Sequence, residues 1–209
     1  MGNTQLEGFP QGIEHLPNLD ILDLSSNDIH SIPEKLVENQ HLRSINLNDT
    51  KVTKLPDKLQ QLTELNFIGL NNCPLESFPE YIFNFQKLKG IDLQGLGIQQ
   101  LPETIGLMTD LEHLSIEHNK ITSLPSSIGN LQKLRHLYIS YNPIEAFPAT
   151  MGGLEKLTFL FADNTNIKEI PKEMDTLPYI AHLSVPQGVK ISETLEKTIE
   201  YNEGDYAFS

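Results

Sequence analysis

Apolar residues recur along this chain with a fixed spacing of 23 residues. The series consists of Leu19, Leu42, Leu65, Leu88, Leu111, Leu134, Leu157 and Ile180. If each of these is position 1 of a repeat, positions 4 and 6 are also apolar, as in Leu114 and Ile116, except where alanine stands at position 6. Apolar residues two positions apart are typical of a short β-strand with one buried face. The pattern therefore predicts seven full repeats and an eighth strand, over residues 19–185.

A second set of recurring residues follows each predicted strand. Position 11 is always Ile, Val or Leu, and position 18 is apolar. Prolines occupy position 15, at Pro10, Pro33, Pro56, Pro79, Pro102, Pro125, Pro148 and Pro171. Proline is well tolerated at the first residue of a helix, where its missing N–H costs nothing. We therefore expect a short helical turn in each repeat, with the proline at its start.

Position 9 of the repeat is usually small and often asparagine, as at Asn27, Asn119 and Asn142. Such a side chain can satisfy the backbone groups of a turn that no regular ladder serves. Threonine at Thr50 and Thr165 could do part of this work.

These positions together resemble a known family. Residues 111–121 read LEHLSIEHNKI, which fits the pattern L-x-x-L-x-L-x-x-N-x-L of the leucine-rich repeat proteins. The 23-residue proline-containing repeat is similar to those of intracellular Ras-pathway scaffolds and of many bacterial members. The resemblance implies an α/β repeat solenoid, a right-handed horseshoe with a parallel β-sheet on its concave face and short helical or 3-10 segments on its convex face. Leu96, Asn39 and Ala162 depart from the pattern.

The two ends of the chain differ from the repeats. Residues 1–18 align with the second half of a repeat, which leaves the edge of the first full repeat uncovered. We expect either that the sequence is a fragment of a longer chain or that it self-associates edge to edge there. Residues 186–209 are predicted to form a C-terminal capping helix and tail. Ser192 is the expected N-cap of a helix that runs to about residue 202, with Leu195 and Ile199 covering the last repeat. Tyr206 and Phe208 are expected either to complete this lid or to be mobile.

Charge and composition exclude several classes of partner. The 209 residues include 15 Lys and Arg against 28 Asp and Glu, a net charge of −13. Nucleic-acid binding requires a basic surface, so we predict no nucleic-acid partner. No apolar run is long enough for a membrane helix, so we predict no membrane insertion.

Compartment follows only in outline from the sequence. Residues 1–10 lack the basic and apolar regions of a signal peptide, so any such peptide would already have been removed. Extracellular animal members of the family usually carry cysteine-rich caps, whereas this chain has a single cysteine. We therefore expect a cytoplasmic protein, or a secreted or cell-surface bacterial protein.

Candidate binding residues lie at strand positions 3, 5, 7 and 8, which should point away from the core and line the concave face. In the first four repeats these positions are mostly small and polar, and we expect them to offer hydrogen bonds to a partner. In the last four they become aromatic or histidine, at His113, His118, His136, Tyr138, Tyr141, Phe159, Phe161 and His182. Contiguous patches of this kind tend to mark contact sites. The alternative is that the rings fold over their neighbours and bind nothing.

The sequence carries no recognisable catalytic motif. It has no phosphate-binding loop, no G-x-S-x-G and no H-E-x-x-H, and Cys73 should point into the core. His113 and His136 occupy adjacent strands but lack a matching carboxylate, so we predict no metal site and no cofactor. The leading hypothesis is a non-catalytic scaffold that binds a protein or peptide. A carbohydrate-binding surface and an architectural or oligomerisation unit are the alternatives.

Overall fold

The computed structural model describes residues 5–16 and 18–206, and the side chains of these residues up to 201. One open sheet of eight parallel strands follows chain order from β1 to β8. The strands β1–β8 cover Ile21–Asp23, Ser44–Asn46, Phe67–Gly69, Gly90–Asp92, His113–Ser115, His136–Tyr138, Phe159–Phe161 and His182–Ser184. Each residue pairs with the residue 23 places later, as Leu22 does with Ile45, so the repeat length sets the register. This confirms the predicted repeat solenoid with its parallel sheet.

The core is a continuous apolar column behind the sheet. The central residue of each strand from β1 to β7 is buried, and so are the apolar residues at positions 1, 6 and 11 in almost every repeat. Because each strand alternates, the residues on either side of its central one face outward, away from this column. The small Ala162 is also fully buried in the column. The concave face is therefore left free of any role in the core.

Eight short 3-10 helices, η1–η8, form the convex side of the described chain. They cover Ile13–His15, Glu34–Glu38, Asp57–Gln61, Glu80–Asn84, Glu103–Leu107, Ser126–Asn130, Ala149–Gly153 and Lys172–Thr176. The prolines of position 15 stand one residue before η2–η8 rather than at their first residue, as Pro33 does before η2. Each proline carbonyl accepts the first hydrogen bond of the turn, as from the Leu36 N–H at 3.0 Å. Proline thus fixes the extended backbone that enters the turn.

The buried side chains at position 9 satisfy backbone groups of their own turn, as predicted, and also join neighbouring repeats. The Asn119 Oδ1 accepts hydrogen bonds from the N–H groups of Leu96 and Ile98 in the preceding repeat, at 3.1 and 3.0 Å. Its Nδ2 donates to the Ile116 carbonyl in its own turn, at 2.9 Å. Thr50 supplies only part of this pattern, with Oγ1 donating to the Leu47 carbonyl at 2.8 Å.

The apparent exception at Asn39 has a similar explanation. Asn39 is buried although the other repeats carry an apolar residue there, and its Nδ2 donates to the Glu14 and Leu36 carbonyls at 3.0 and 3.2 Å. The amide therefore ties η1 to η2. It satisfies backbone groups in place of filling an apolar site.

Glycine at position 19 brings the convex helices η5–η8 close together. A Cβ on Gly129 would lie 2.8 Å from the carbonyl carbon of Thr150, and one on Gly152 would lie 2.8 Å from that of Glu173. A Cβ on Gly106 would lie 2.6 Å from the Cβ of Ser127. Real side chains do not approach this closely, so only glycine fits at these three positions.

The described segments before β1 and after β8 pack against the terminal repeats. The N–H of Leu6 donates to Asn27 Oδ1 at 3.0 Å, and the partly buried Leu6 and Phe9 pack on the core. At the other end α1 (Glu193–Tyr206) begins after Ser192, whose Oγ accepts a hydrogen bond from the Leu195 N–H at 3.1 Å.

The C-terminal helix covers the last repeat with its apolar face. Leu195 is fully buried and Ile199 packs against the core, as expected. The helix ends at residue 206, four residues beyond the expected end at 202. Phe208 and the Tyr206 side chain lie outside the described residues. No helix in the described part of the chain has the length and apolarity needed to cross a bilayer.

The single thiol should be inert in the folded protein. Cys73 is buried, its Sγ donates to the Leu47 carbonyl at 3.1 Å, and burial raises its pKa. Because the thiolate is the reactive species, we expect a thiol reagent to label Cys73 only after denaturation. Labelling followed by mass spectrometry with and without urea measures this, and fast labelling of the native protein would contradict it.

Candidate functional site

Six aromatic and histidine rings form one connected surface on the concave face, here called the aromatic cluster. Its members are His113, His136, Tyr138, Phe159, Phe161 and His182. Tyr138 stacks on Phe161 with ring centroids 5.0 Å apart and planes within 4° of parallel. Phe161 in turn lies 4.6 Å from His182. All six side chains are half-buried, so their ring faces are shared between neighbours and solvent.

The parallel register explains why these rings meet. His113 pairs with His136, and His136 pairs with Phe159, one residue per strand at the same height of the sheet. Tyr138 pairs with Phe161 in a second row two residues further along. Contacts also cross the rows, as between His113 and Tyr138 at 5.2 Å. Neighbouring strands place side chains about 5 Å apart, which is the spacing at which rings touch.

His118 and Tyr141 form a separate stacked pair in the turns after β5 and β6. Their ring centroids are 4.1 Å apart and their planes differ by 10°. Both residues have left-handed backbone, with φ of 53° and 58°, and Tyr141 is 50% exposed. Left-handed backbone costs a bulky residue about 1 kcal/mol.

Position 8 in the other repeats adopts the same backbone. Ser26, Asp49, Asn72 and Asn164 all have φ between 54° and 58°, and Gly95 has φ of 73°. The sequence did not reveal this turn, although the recurrence of Asn, Asp and Gly at position 8 was its signal. His118 and Tyr141 are the two bulky residues in this series.

Carboxylates border the aromatic cluster. The His113 Nε2 lies 3.0 Å from Asp92 Oδ1, and this carboxylate also accepts a hydrogen bond from Asn48 at 3.3 Å. On the carboxyl side of the strands, Glu117 and Asp163 lie on either side of Ser140. Burial raises the pKa of Glu117, and the negative charge of Asp163 adds to the increase while His118, Ser140 and His113 oppose it.

His136 should remain neutral at neutral pH. Burial lowers its pKa from the usual 6.5, and the charges of His113 and Arg135 lower it further. We therefore expect its imidazole NMR signals to titrate with a midpoint below 6.5. An Arg135→Gln variant should move the midpoint upward. A midpoint above 6.5 in the unchanged protein would contradict the buried position of the ring.

The polar half of the concave face differs from expectation. Its amides largely bind each other and the backbone, as when Asn48 Oδ1 accepts from the Asn71 N–H at 2.8 Å and Asn71 Oδ1 accepts from the Gln94 N–H at 2.7 Å. Asn72 Nδ2 donates to Asp49 Oδ1 at 2.8 Å. These bonds continue the ladder beyond the short strands, so the side chains are already engaged and offer few free groups to a partner.

The described residues show no arrangement suited to a metal ion. No group of three or more His, Cys, Asp or Glu side chains among them is placed to share one. The rings of His113 and His136 meet edge to face with centroids 6.0 Å apart, and His113 is already paired with Asp92. Among the described residues, no strand pairs with the outer edge of β1, where Ile21 is 65% exposed.

Comparison with known families agrees with the repeat pattern. A model described as leucine-rich repeat region matches residues 111–200, and a second, described as leucine rich repeat, matches residues 17–75. Together they cover more than half of the chain. A comparison with curated proteins gives no match.

Solved structures share the fold at low sequence identity. A leucine-rich repeat protein of Leptospira interrogans is 23% identical over 97% of this chain, with a TM-score of 0.73. An internalin of Listeria monocytogenes is 21% identical over 92% of this chain, with a TM-score of 0.67, and the match covers 68% of the internalin. A plant peptide hormone receptor in complex with RGF2 is 23% identical over 91%, with a TM-score of 0.70. This chain spans 57% of the Leptospira protein and 36% of the receptor.

Proposed function

Because the chain belongs to the leucine-rich repeat proteins, we propose that it is a non-catalytic scaffold that binds a protein or peptide on its concave face. The aromatic cluster is the observation that carries this proposal. Six adjacent rings are held half-exposed on a face that contributes nothing to the core. Large aromatic side chains at the centre of a surface patch supply most of the binding energy in many interfaces.

The pairing of the rings also favours a role in binding. Tyr138 stacks on Phe161, and His113 and Phe159 meet His136 edge to face, so the side chains are fixed before a partner arrives. A surface that is already ordered loses little conformational entropy on binding. If the rings only covered their neighbours, the face would need no such continuous contact over four strands.

Relatives of the same fold support a polypeptide partner. The plant receptor of this fold was solved in complex with RGF2, and it is described as a peptide hormone receptor. That protein shares 23% identity with this chain, so it supports the class of ligand and not its identity. For this chain, the contact residues would be the aromatic cluster and the neighbouring His118–Tyr141 pair.

The experiment compares captured partners across matched variants. The protein and a Tyr138→Ala/Phe159→Ala variant are used as baits in extracts of the native host, with bound proteins identified by mass spectrometry. Phe67→Ala is the control, because Phe67 is also half-buried on the concave face but lies over Gly90, outside the aromatic cluster. We expect partners retained by the unchanged protein and by the control to be lost from the double variant.

Two results would overturn the proposal. If the double variant retained the same proteins with the same affinity, the aromatic cluster would not be the binding surface. If a glycan array gave specific binding that required Tyr138, the surface would be a carbohydrate site. Sedimentation of the unchanged protein at several concentrations tests the third possibility, self-association through β1, because a self-associating protein would sediment faster as its concentration is raised.

A further inference from the structure

The charge of the concave face is one-sided. At strand positions 3, 5, 7 and 8 of the described repeats there is no lysine or arginine. The same positions carry the carboxylates of Asp23, Asp49, Asp92, Glu117 and Asp163. The face as a whole therefore attracts a positively charged partner and repels an acidic one.

Two of these carboxylates adjoin the stacked rings. Glu117 and Asp163 follow β5 and β7, and between them Ser140 follows the strand that carries Tyr138. The Ser140 Oγ accepts a hydrogen bond from the Asp163 N–H at 3.2 Å, so the three residues form one row beside the rings. Among the described residues, no salt bridge neutralises either carboxylate, in contrast to Asp92, which is paired with His113.

The cations near the aromatic cluster lie at the other end of the strands. Arg135 directly precedes β6 and is exposed, and Lys156 stands over the ring of Tyr179, 5.1 Å from its centroid. The amino ends also carry the carboxylates of Asp110 and Glu112, but these pair with Lys133 and Lys89 at 2.6 and 3.7 Å. Carboxylates without a salt bridge among the described residues therefore adjoin the rings at the carboxyl ends of the strands, whereas the amino ends are of mixed charge.

Resting on the proposed function, we infer that the aromatic cluster takes a basic protein segment whose lysine or arginine side chains lie beside apolar ones. The cationic head groups meet Glu117 and Asp163, and their aliphatic stems lie along Tyr138 and Phe161. A guanidinium or ammonium group is attracted both by a carboxylate and by the face of an aromatic ring. Apolar residues of the segment pack on Phe159 and the neighbouring histidines.

The test selects peptides without assuming a sequence. A phage-displayed library of random dodecapeptides is selected on the full chain, and bound phage are eluted and sequenced. Peptides that still bind a Tyr138→Ala/Phe161→Ala variant are removed before sequencing. We expect the remaining peptides to be enriched in lysine or arginine next to apolar residues.

The enriched peptides are then synthesised and measured by calorimetry. A Glu117→Gln/Asp163→Asn variant should bind them about tenfold more weakly, and the affinity of the unchanged protein should fall as salt is raised. Asp23→Asn/Asp49→Asn is the matched control, since it removes two charges from the same face far from the rings and should change the affinity by less than about twofold. Thermal unfolding followed by circular dichroism establishes that each variant is folded.

The outcomes separate this inference from the proposed function. Peptides that require the rings but carry no basic residues, or that bind equally well without the two carboxylates, would overturn the inference and leave the proposed function standing. A library that yields no ring-dependent peptide would count against both.

Discussion

Replacing Asn119 by alanine is expected to lower the free energy of unfolding by about 4 kcal/mol, because the buried Ile98 N–H and the partly buried Leu96 N–H would lose their acceptor. The Asn119 side chain is 7% exposed and accepts from the Leu96 and Ile98 N–H groups at 3.1 and 3.0 Å. Its Nδ2 also donates to the Leu93 carbonyl at 2.8 Å. Alanine would remove the partner that Asn119 gives to each of these backbone groups, of which the Ile98 N–H and the Leu93 carbonyl lie in buried hydrogen bonds. Urea unfolding followed by circular dichroism measures the change, because the chain has no tryptophan for fluorescence.

Two further variants make the Asn119 result specific. Asn119→Thr should lose less than alanine, because Thr50 and Thr165 at the same position each keep one hydrogen bond to their own turn, at 2.8 Å. Asn166→Ala, at an exposed site, should change stability by no more than about 0.5 kcal/mol. An Asn119→Ala variant as stable as Asn166→Ala would show that the bridge between repeats contributes little.

Gly129→Ala is expected to destabilise the protein by about 3 kcal/mol, the upper range for a side chain added where there is no room. The added Cβ would lie 2.8 Å from the carbonyl carbon of Thr150, which belongs to the backbone of the neighbouring helix η7. A flexible side chain could move aside, whereas this backbone is held by the sheet and core. The same urea experiment measures the loss.

Gly8→Ala is the control for Gly129→Ala. Nothing lies within 4 Å of the position where its Cβ would be, and its backbone is not left-handed. We expect it to change stability by less than about 0.5 kcal/mol. If both glycine variants were equally stable, η6 and η7 would be able to separate and the close packing would not be required.

The strands and the core could be predicted because each is encoded by residue type at a fixed position. Leu114 and Ile116 are apolar since they face the column, and their recurrence every 23 residues is visible without a structure. That Asn119 satisfies backbone groups of its own turn could be predicted for the same reason, whereas its bonds to Leu96 and Ile98 of the preceding repeat could not. The helix after Ser192 could also be predicted, because a capping side chain and an apolar pair four residues apart are local signals.

Other features depend on backbone torsions and distances between repeats. The left-handed turn at position 8 was hidden because His118 and Tyr141 resembled freely chosen surface residues. Gly129 looked like an ordinary glycine, since its reason lies in the neighbouring repeat, at Thr150. The sequence placed the aromatic rings in adjacent rows, but not their stacking, which is set by side-chain torsions. The hydrogen bonds from neighbouring N–H groups to the Asn48 and Asn71 amides could not be predicted either, because each bond joins two different repeats.

The constant register defines which changes in length this chain can absorb. Deleting residues 42–64 would join His41 to Leu65, so that β1 would pair with β3 in the same alignment as it now has with β2. Recombination between repeats therefore adds or removes whole turns while preserving the type of contact at every junction. The rings lie on strands β5 to β8, and the hydrogen bond between His113 and Asp92 connects them to β4. Turns could be gained or lost before β4 over evolutionary time, so that the reach of the concave face changes while the aromatic cluster is inherited intact.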